Sequence, residues 1–305
     1  MSASDHGHDH STGGGSRRRL ALVLGISATI LVIEIIGAVI SGSLALLADA
    51  GHMFTDVAGR TLALVAAVLT GRPATDARTW GYRRAEVLAA AAQAGVLLAV
   101  GGFVLVQAVV HLINPVAVAA PAMFVFGVVG LLGNAASIAI LSAGRGANLN
   151  TRAAFLEVVN DALGSVAVLI AAVVIAATGW DRADAVASLL IGAMILPRTW
   201  KLLRETVDVL LESTPKGIDL GDVRTHLGDV PHVIALHDLH ASTVATGLPV
   251  LTAHIVVEDG CFLDGHLTAL LDDLQGCLVG HFNVEHSTFQ FEAATHRARE
   301  HAAHH

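Results

Sequence analysis

Six stretches of this chain are each apolar over the ~20 residues needed to cross a bilayer, which leaves few folds open. They run Leu20–Ile40, Leu44–Thr70, Ala85–Ile113, Ala122–Ala143, Ala153–Thr178 and Ala183–Leu203. Runs of this length and continuity predict membrane-spanning helices rather than buried strands. Composition points the same way: of 305 residues, 54% are apolar and only 14% charged, and the mean hydropathy is +0.65. A soluble domain of this size rarely has such a balance.

The connections give the orientation. Arg17, Arg18 and Arg19 precede the first stretch, and Arg72, Arg78, Arg83 and Arg84 join the second to the third. Arg145 and Arg152 join the fourth to the fifth, and Arg198, Lys201 and Arg204 close the sixth. The loops on the opposite side hold only Arg182. The positive-inside rule therefore puts both termini in the cytoplasm, with the chain in a cell's inner membrane. No basic cluster suits nucleic acid, because Arg17–Arg19 abuts an apolar stretch and reads as an anchor at the membrane flank.

Around the spanning region, 17–211, lie three other segments. Residues 1–16 are polar and Gly/Ser-rich, with His6, His8 and His10 alternating with Asp5, Gly7 and Asp9. Such a tail is expected to be disordered and able to bind metal loosely. It is not a signal peptide, since the apolar stretch after it is too long and lacks a small-residue cleavage site. Beyond Leu211-Glu212-Ser213-Thr214-Pro215 the texture becomes that of a soluble domain, 212–292. Asp219–Leu227 predicts a helix, Val233–Ala241 and Leu248–Val257 strands, Leu263–Leu278 an amphipathic helix and Phe282–Glu292 a third strand. That αββαβ order makes a small α+β sandwich. Residues 293–305 form a second His-containing tail, expected to be disordered, whose last two His could equally be the remnant of a tag. Cys261 and Cys277 are too few and too far apart for a disulfide framework or a CxxC zinc site.

The chemistry sits inside the apolar stretches. His52 and Asp56 are four residues apart and share one face of a helix; Glu157 and Asp161 repeat that spacing a hundred residues on. Ionisable groups within a membrane are expensive and mark function when they have partners. Two facing pairs would supply four ligands, the number Zn²⁺ prefers in a tetrahedral site. A lone His/Asp pair could instead hydrogen-bond within a bundle; its recurrence on a second helix argues against that. Metal and protons compete for imidazole and carboxylate, so such a site can exchange one for the other, with His52 as the natural proton carrier. Glu34 reads as a proton relay or a helix–helix hydrogen bond. Asp49 reads as a group orienting the His52 imidazole or as a helix-start residue, and Asn134, Ser137 and Gln93 as glue between helices.

Four motifs carry a resemblance. Ser43-Leu-Ala-Leu-Leu-Ala-Asp-Ala-Gly-His-Met-Phe-Thr-Asp56 closely resembles the second membrane helix of the cation diffusion facilitator family of metal/proton antiporters. Trp80-Gly-Tyr-Arg-Arg-Ala-Glu-Val-Leu-Ala-Ala90 is similar to the entry of its third helix, and Ala153-Ala-Phe-Leu-Glu-Val-Val-Asn-Asp-Ala-Leu-Gly-Ser165 to its fifth. His286-Ser-Thr-Phe-Gln-Phe-Glu292 is similar to its last cytoplasmic strand. The resemblance implies a homodimer of six-helix protomers in the lipid bilayer, each with a cytoplasmic domain of ferredoxin-like αββαβ topology. It implies that His52, Asp56, position 157 and Asp161 form the transport site. The cargo would be a divalent metal ion, Zn²⁺ first, exchanged for H⁺ without any organic cofactor. It also implies that His237, His254 and His286 sit where family members bind regulatory zinc between the two protomers, although Thr288 stands where some relatives have an Asp ligand. The loop before the third stretch holds Asp76 but no His, so an accessory zinc site there is expected to be absent.

One departure stands out. The zinc-type members have His where this chain has Glu157, so the site carries three negative charges when ionised, one more than a divalent ion cancels. Arg60 lies four residues after Asp56 on the same face, about a helical turn from Glu157 along the axis. It is expected to compensate Glu157 directly, to act as a gate released by metal, or to face a water-filled vestibule. Oxygen in place of imidazole also admits Mn²⁺, Cd²⁺ or Co²⁺ as cargo. The readings outside transport are a membrane-bound metalloenzyme, whose site should keep an open coordination position and a substrate pocket, and a metal sensor, which should move no ion.

Overall fold

The computed structural model describes residues 12–142, 149–263 and 265–297. The tail histidines His6, His8 and His10, and His301, His304 and His305, lie outside the described residues.

Six helices come first: α1 Thr12–Ser41, α2 Leu44–Thr70, α3 Ala85–Ile113, α4 Ala120–Ser142, α5 Leu149–Thr178 and α6 Arg182–Leu210. Each is long and apolar enough to cross a membrane. The six apolar stretches fall on these helices, and α6 outruns its stretch, Ala183–Leu203, because no breaker interrupts Arg204-Glu205-Thr206. It ends where Glu212 takes a positive φ of 56°. Two compact units emerge from the packing: residues up to Leu62 with Ala92–Leu202, and Ala63–Ala91 with the chain from Leu203 onward.

In the first unit α4 packs between α1 and α5. The α1–α4 contact is close because small residues line it: a Cβ on Gly37 would overlap the Phe126 ring, and one on Gly133 would overlap Ile30. Without water to drive association in lipid, such close approach is what holds membrane helices together. Ala45, Leu46, Met123, Val168 and Ala172 form the main core, while Val39, Val106 and Leu132 turn outward, as suits a lipid-facing surface. Between α1 and α2 the chain turns on Gly42, whose φ of +69° is a left-handed conformation that side chains resist.

The start of α2 is capped from another helix. Asp184, buried near the start of α6, accepts hydrogen bonds from Ser43 Oγ at 2.5 Å, Leu44 N at 2.7 Å and Ala45 N at 3.1 Å. These backbone N–H groups have no partner within α2 itself, and in a membrane no water would reach them. Arg182 does the complementary work for α3, donating from Nε to the Leu112 carbonyl at 2.8 Å.

The second unit holds the α2–α3 loop and the C-terminal elements: α7 Leu220–Gly228, β1 Val233–Ala245, β2 Leu248–Val257, α8 His266–Phe282 and β3 His286–Ala293. This is the expected αββαβ order. The sheet runs β1-β2-β3, with β1 and β2 antiparallel and β2 and β3 parallel. Leu270, Leu274 and Leu278 of α8 and Val223 and Leu227 of α7 pack with Leu251, Ala253 and Ile255 of β2. Boundaries differ from expectation at three elements, α8 among them, which runs His266–Phe282 rather than Leu263–Leu278. Strand β1 continues four residues past Ala241 because Ser242–Ala245 still pair with Leu248–Val250 across a tight turn. The third strand begins at His286 rather than Phe282 because α8 runs to Phe282 and Asn283 then caps it in the left-handed conformation. Arg84 Nη2 lies 2.8 Å from Glu212 Oε1, and Thr246 Oγ1 donates to Glu86 Oε1 at 3.2 Å, so the loop joins this unit through polar contacts.

Candidate metal centre

Helices α2 and α5 bring three of the four expected ligands together. His52 Nε2 lies 3.7 Å from Asp56 Oδ2 and 3.5 Å from Asp161 Oδ1. One ligand atom from each of these three residues falls within 4.8 Å of the others. Zinc–ligand bonds of ~2 Å would set neighbouring tetrahedral ligands about 3.3 Å apart, so the set is close to coordinating distance. Asp56 Oδ2, Asp161 Oδ1 and His52 Nδ1 are shielded from solvent and have no hydrogen-bond partner in the protein. Buried polar atoms left in this way are rare, and two carboxyl oxygens facing one imidazole nitrogen make a donor set suited to a cation.

The fourth expected ligand goes elsewhere. Glu157 Oε2 lies 2.6 Å from Arg60 Nη2, and both side chains are largely buried. Glu157 also neighbours Asp56, so it stands at the edge of the cluster and not far from it. Among the three alternatives for Arg60, the geometry is that of a direct pair.

Asp49 does not hold the imidazole. Its Oδ2 accepts from Ser165 Oγ on α5 at 3.3 Å, and that hydroxyl in turn accepts from Asn134 Nδ2 on α4 at 3.2 Å. Glu34 of α1 is fully buried beside Asp49, and neither of its oxygens meets a hydrogen-bond donor. A Cβ on Gly130 would collide with Glu34, so this glycine opens the space its carboxyl occupies. A cavity of about 290 Å³ reaches the cluster, lined by His52, Asp56, Glu157, Asn160, Gln93 and Arg198 among others.

In the C-terminal unit a second His/carboxylate cluster forms, but not the one expected. His237 and His254 face each other across β1 and β2, ring centroids 5.0 Å apart. Both bind Glu292 of β3: His237 Nε2 is 3.0 Å from Oε2 and His254 Nδ1 is 2.8 Å from Oε1. His286 is not part of it. In the β2–β3 register it pairs with Val250, four positions from His254, and its ring meets the edge of Trp80 at 4.9 Å. Four strand residues span about 13 Å, too far for one ion within a single chain. Glu292 was not expected as a partner; the signal that could have found it is an acidic residue in the otherwise apolar run Phe289-Gln-Phe291-Glu292, where only a paired carboxylate can be buried. Burial pushes the Cys277 thiol above its ordinary value.

Comparison with known proteins identifies the family. Residues 20–211 match the cation efflux transmembrane domain. A metal cation efflux system protein, CzcD, of Cupriavidus metallidurans is 40% identical over 288 residues, covering 94% of this chain and 90% of its own. The zinc transporter ZitB of Escherichia coli is 37% identical, covering 94% and 92%. A cadmium, cobalt and zinc/H(+)-K(+) antiporter of Bacillus subtilis is 32% identical, covering 95% and 93%. The metal-bound C-terminal domain of the CzcD transporter is 31% identical and covers 25% of this chain and 99% of its own, at a TM-score of 0.23. The chain belongs to the cation efflux family: it is a multi-pass membrane transporter, not an enzyme.

Proposed function

We propose that this member of the family exports divalent transition-metal ions from the cytoplasm, Zn²⁺ first among them, in exchange for protons. The observation that carries this reading is the His52, Asp56 and Asp161 cluster, built from two membrane-spanning helices at the end of a cavity. Imidazole with two carboxylates is a donor set that suits Zn²⁺, and neutral imidazole and ionised carboxylate are the forms that bind it. A cation entering releases protons, and protons entering release the cation; alternating exposure of the two sides turns that competition into antiport. Glu34 and Asp49 extend an acidic path beyond the cluster, which suits them to pass protons to it.

The arginine-rich loops support a placement in the inner membrane with both termini cytoplasmic. The working unit is a homodimer, with the C-terminal domain as its cytoplasmic sensor. There His237, His254 and Glu292 hold a regulatory zinc, with His286 serving a different contact. Zinc bound to that domain and zinc bound in the membrane then influence each other reciprocally. Glu292→Gln is expected to lower zinc binding to the full-length protein by one ion per chain while leaving the membrane cluster loaded, as counted by equilibrium dialysis.

The test of transport is purified protein in proteoliposomes carrying an internal pH dye. Zn²⁺ is expected to drive proton movement in the opposite direction, with Cd²⁺, Co²⁺ and Mn²⁺ compared ion by ion. Metal movement that leaves the pH unchanged would refute proton exchange, and no metal movement at all would favour a sensor.

A further inference from the structure

Resting on the transport-site reading above, we propose that Arg60 keeps Glu157 out of the ion's coordination shell. The chain then holds its cargo with three protein ligands and one open position. The geometry separates the four residues into two sets. His52, Asp56 and Asp161 lie within 4.8 Å of one another, whereas Glu157 is engaged by a guanidinium at 2.6 Å. Charge divides along the same line. Asp56 and Asp161 together carry the two negative charges that a divalent ion cancels, with His52 contributing a neutral nitrogen. Glu157 and Arg60 cancel each other, and an arginine stays charged at any physiological pH.

Moving Glu157 onto the ion would break this balance in both places. The ion would gain a third anion, and Arg60, whose side chain is 26% exposed, would be left as a buried cation without its partner. Uncompensated buried charge is the costly state, so the pair is more stable kept than broken. Arg198 lines the same cavity, and a freed Arg60 would add to cationic charge already facing the ion. Glu157 interacts with Asp56, so it stands beside the cluster while its Oε2 meets Arg60.

An open position on the ion changes what the site selects. Four fixed protein ligands impose a tetrahedron, which favours Zn²⁺; three ligands plus exchangeable water let the ion expand its shell. The site therefore discriminates less sharply against ions that prefer five or six ligands. An ion held by three protein groups also leaves faster, which suits a carrier.

The experiment is metal binding to purified full-length protein in nanodiscs. Zn²⁺ affinity is read by competition with a chelating dye, and coordination by the visible absorption of bound Co²⁺. Glu157→Gln alone is expected to weaken Zn²⁺ binding about tenfold or more, because it strands a guanidinium within a helical turn of the ion. Adding Arg60→Gln should recover most of that loss. Arg60→Gln alone should tighten binding and alter the Co²⁺ spectrum as Glu157 enters the shell. A double variant as weak as Glu157→Gln would overturn the proposal, since Glu157 would then be a ligand in the native protein. Arg60→Lys, which keeps the cation and should fold even if the neutral variants do not, is expected to leave the Co²⁺ spectrum unchanged; a new spectrum would equally overturn it. The transport-site reading itself fails on a separate outcome: a Co²⁺ spectrum untouched by His52→Ala.

Discussion

Asp161→Asn is expected to stop transport, cutting the initial rate of Zn²⁺ uptake into proteoliposomes by at least about a hundredfold, since groups that merely support a metal ligand already carry 10–100-fold. The substitution keeps the size and shape of the side chain and removes only its charge. That charge matters doubly: Asp161 Oδ1 is one of the three atoms that converge, and it faces His52 Nε2 at 3.5 Å. With Asn there, the site falls to one anion and one imidazole, leaving a divalent ion in hydrocarbon with a net positive charge. The protein should still reach the membrane and elute as the wild type does, because Asn keeps the shape of the side chain and Asp161 Oδ1 has no hydrogen bond to lose. Retention of more than a tenth of the wild-type rate would count against Asp161 as a ligand.

The second large effect concerns stability. Asp184→Ala should destabilise the protein by about 3–5 kcal/mol, because it leaves a buried hydroxyl and two buried backbone N–H groups without an acceptor. For a chain of this size that is a fall in melting temperature of roughly 5–8 °C. Thermal unfolding followed by size-exclusion chromatography would measure it. Asp184→Asn keeps one carbonyl oxygen, which can accept in place of Oδ1 from Ser43 Oγ and Ala45 N or in place of Oδ2 from Leu44 N but not from both sides, so its loss should be smaller than that of Ala. Equal losses for Ala and Asn would show that charge, not the acceptor, is what the start of α2 needs.

Much of this architecture was legible in the chain because membranes simplify the physics. A span must be helical, so apolar length marks α1–α6 and the helical repeat places His52 with Asp56 and Glu157 with Asp161. What sequence could not tell was which of two neighbours a side chain would choose. Glu157 has the spacing of a ligand and the charge of an arginine partner, and only the 2.6 Å contact with Arg60 decides between them. The same holds for Glu292, whose partners come from two other strands, and for His286, whose register puts it beside Trp80. Asp184 was hidden because its partners are about 140 residues away in sequence, and no local pattern announces a cap supplied by another helix. The extra length of β1 was hidden by the irregular pairing between Thr243 and Ala245, which interrupts the alternation that marks a strand just beyond Ala241.

The Ser165 hydroxyl has a single hydrogen and two acceptors at the same distance: Asp49 Oδ2 and the Asp161 carbonyl, each at 3.3 Å. It serves one at a time. A gain of negative charge on Asp49 draws that hydrogen toward α2, and a loss returns it to the main-chain carbonyl of Asp161 on α5. Asn134, donating to the same oxygen, holds the hydroxyl in place while it turns. One rotating bond thus ties the charge on a carboxyl beside Glu34 to the helix that carries a proposed metal ligand, without any movement of the main chain.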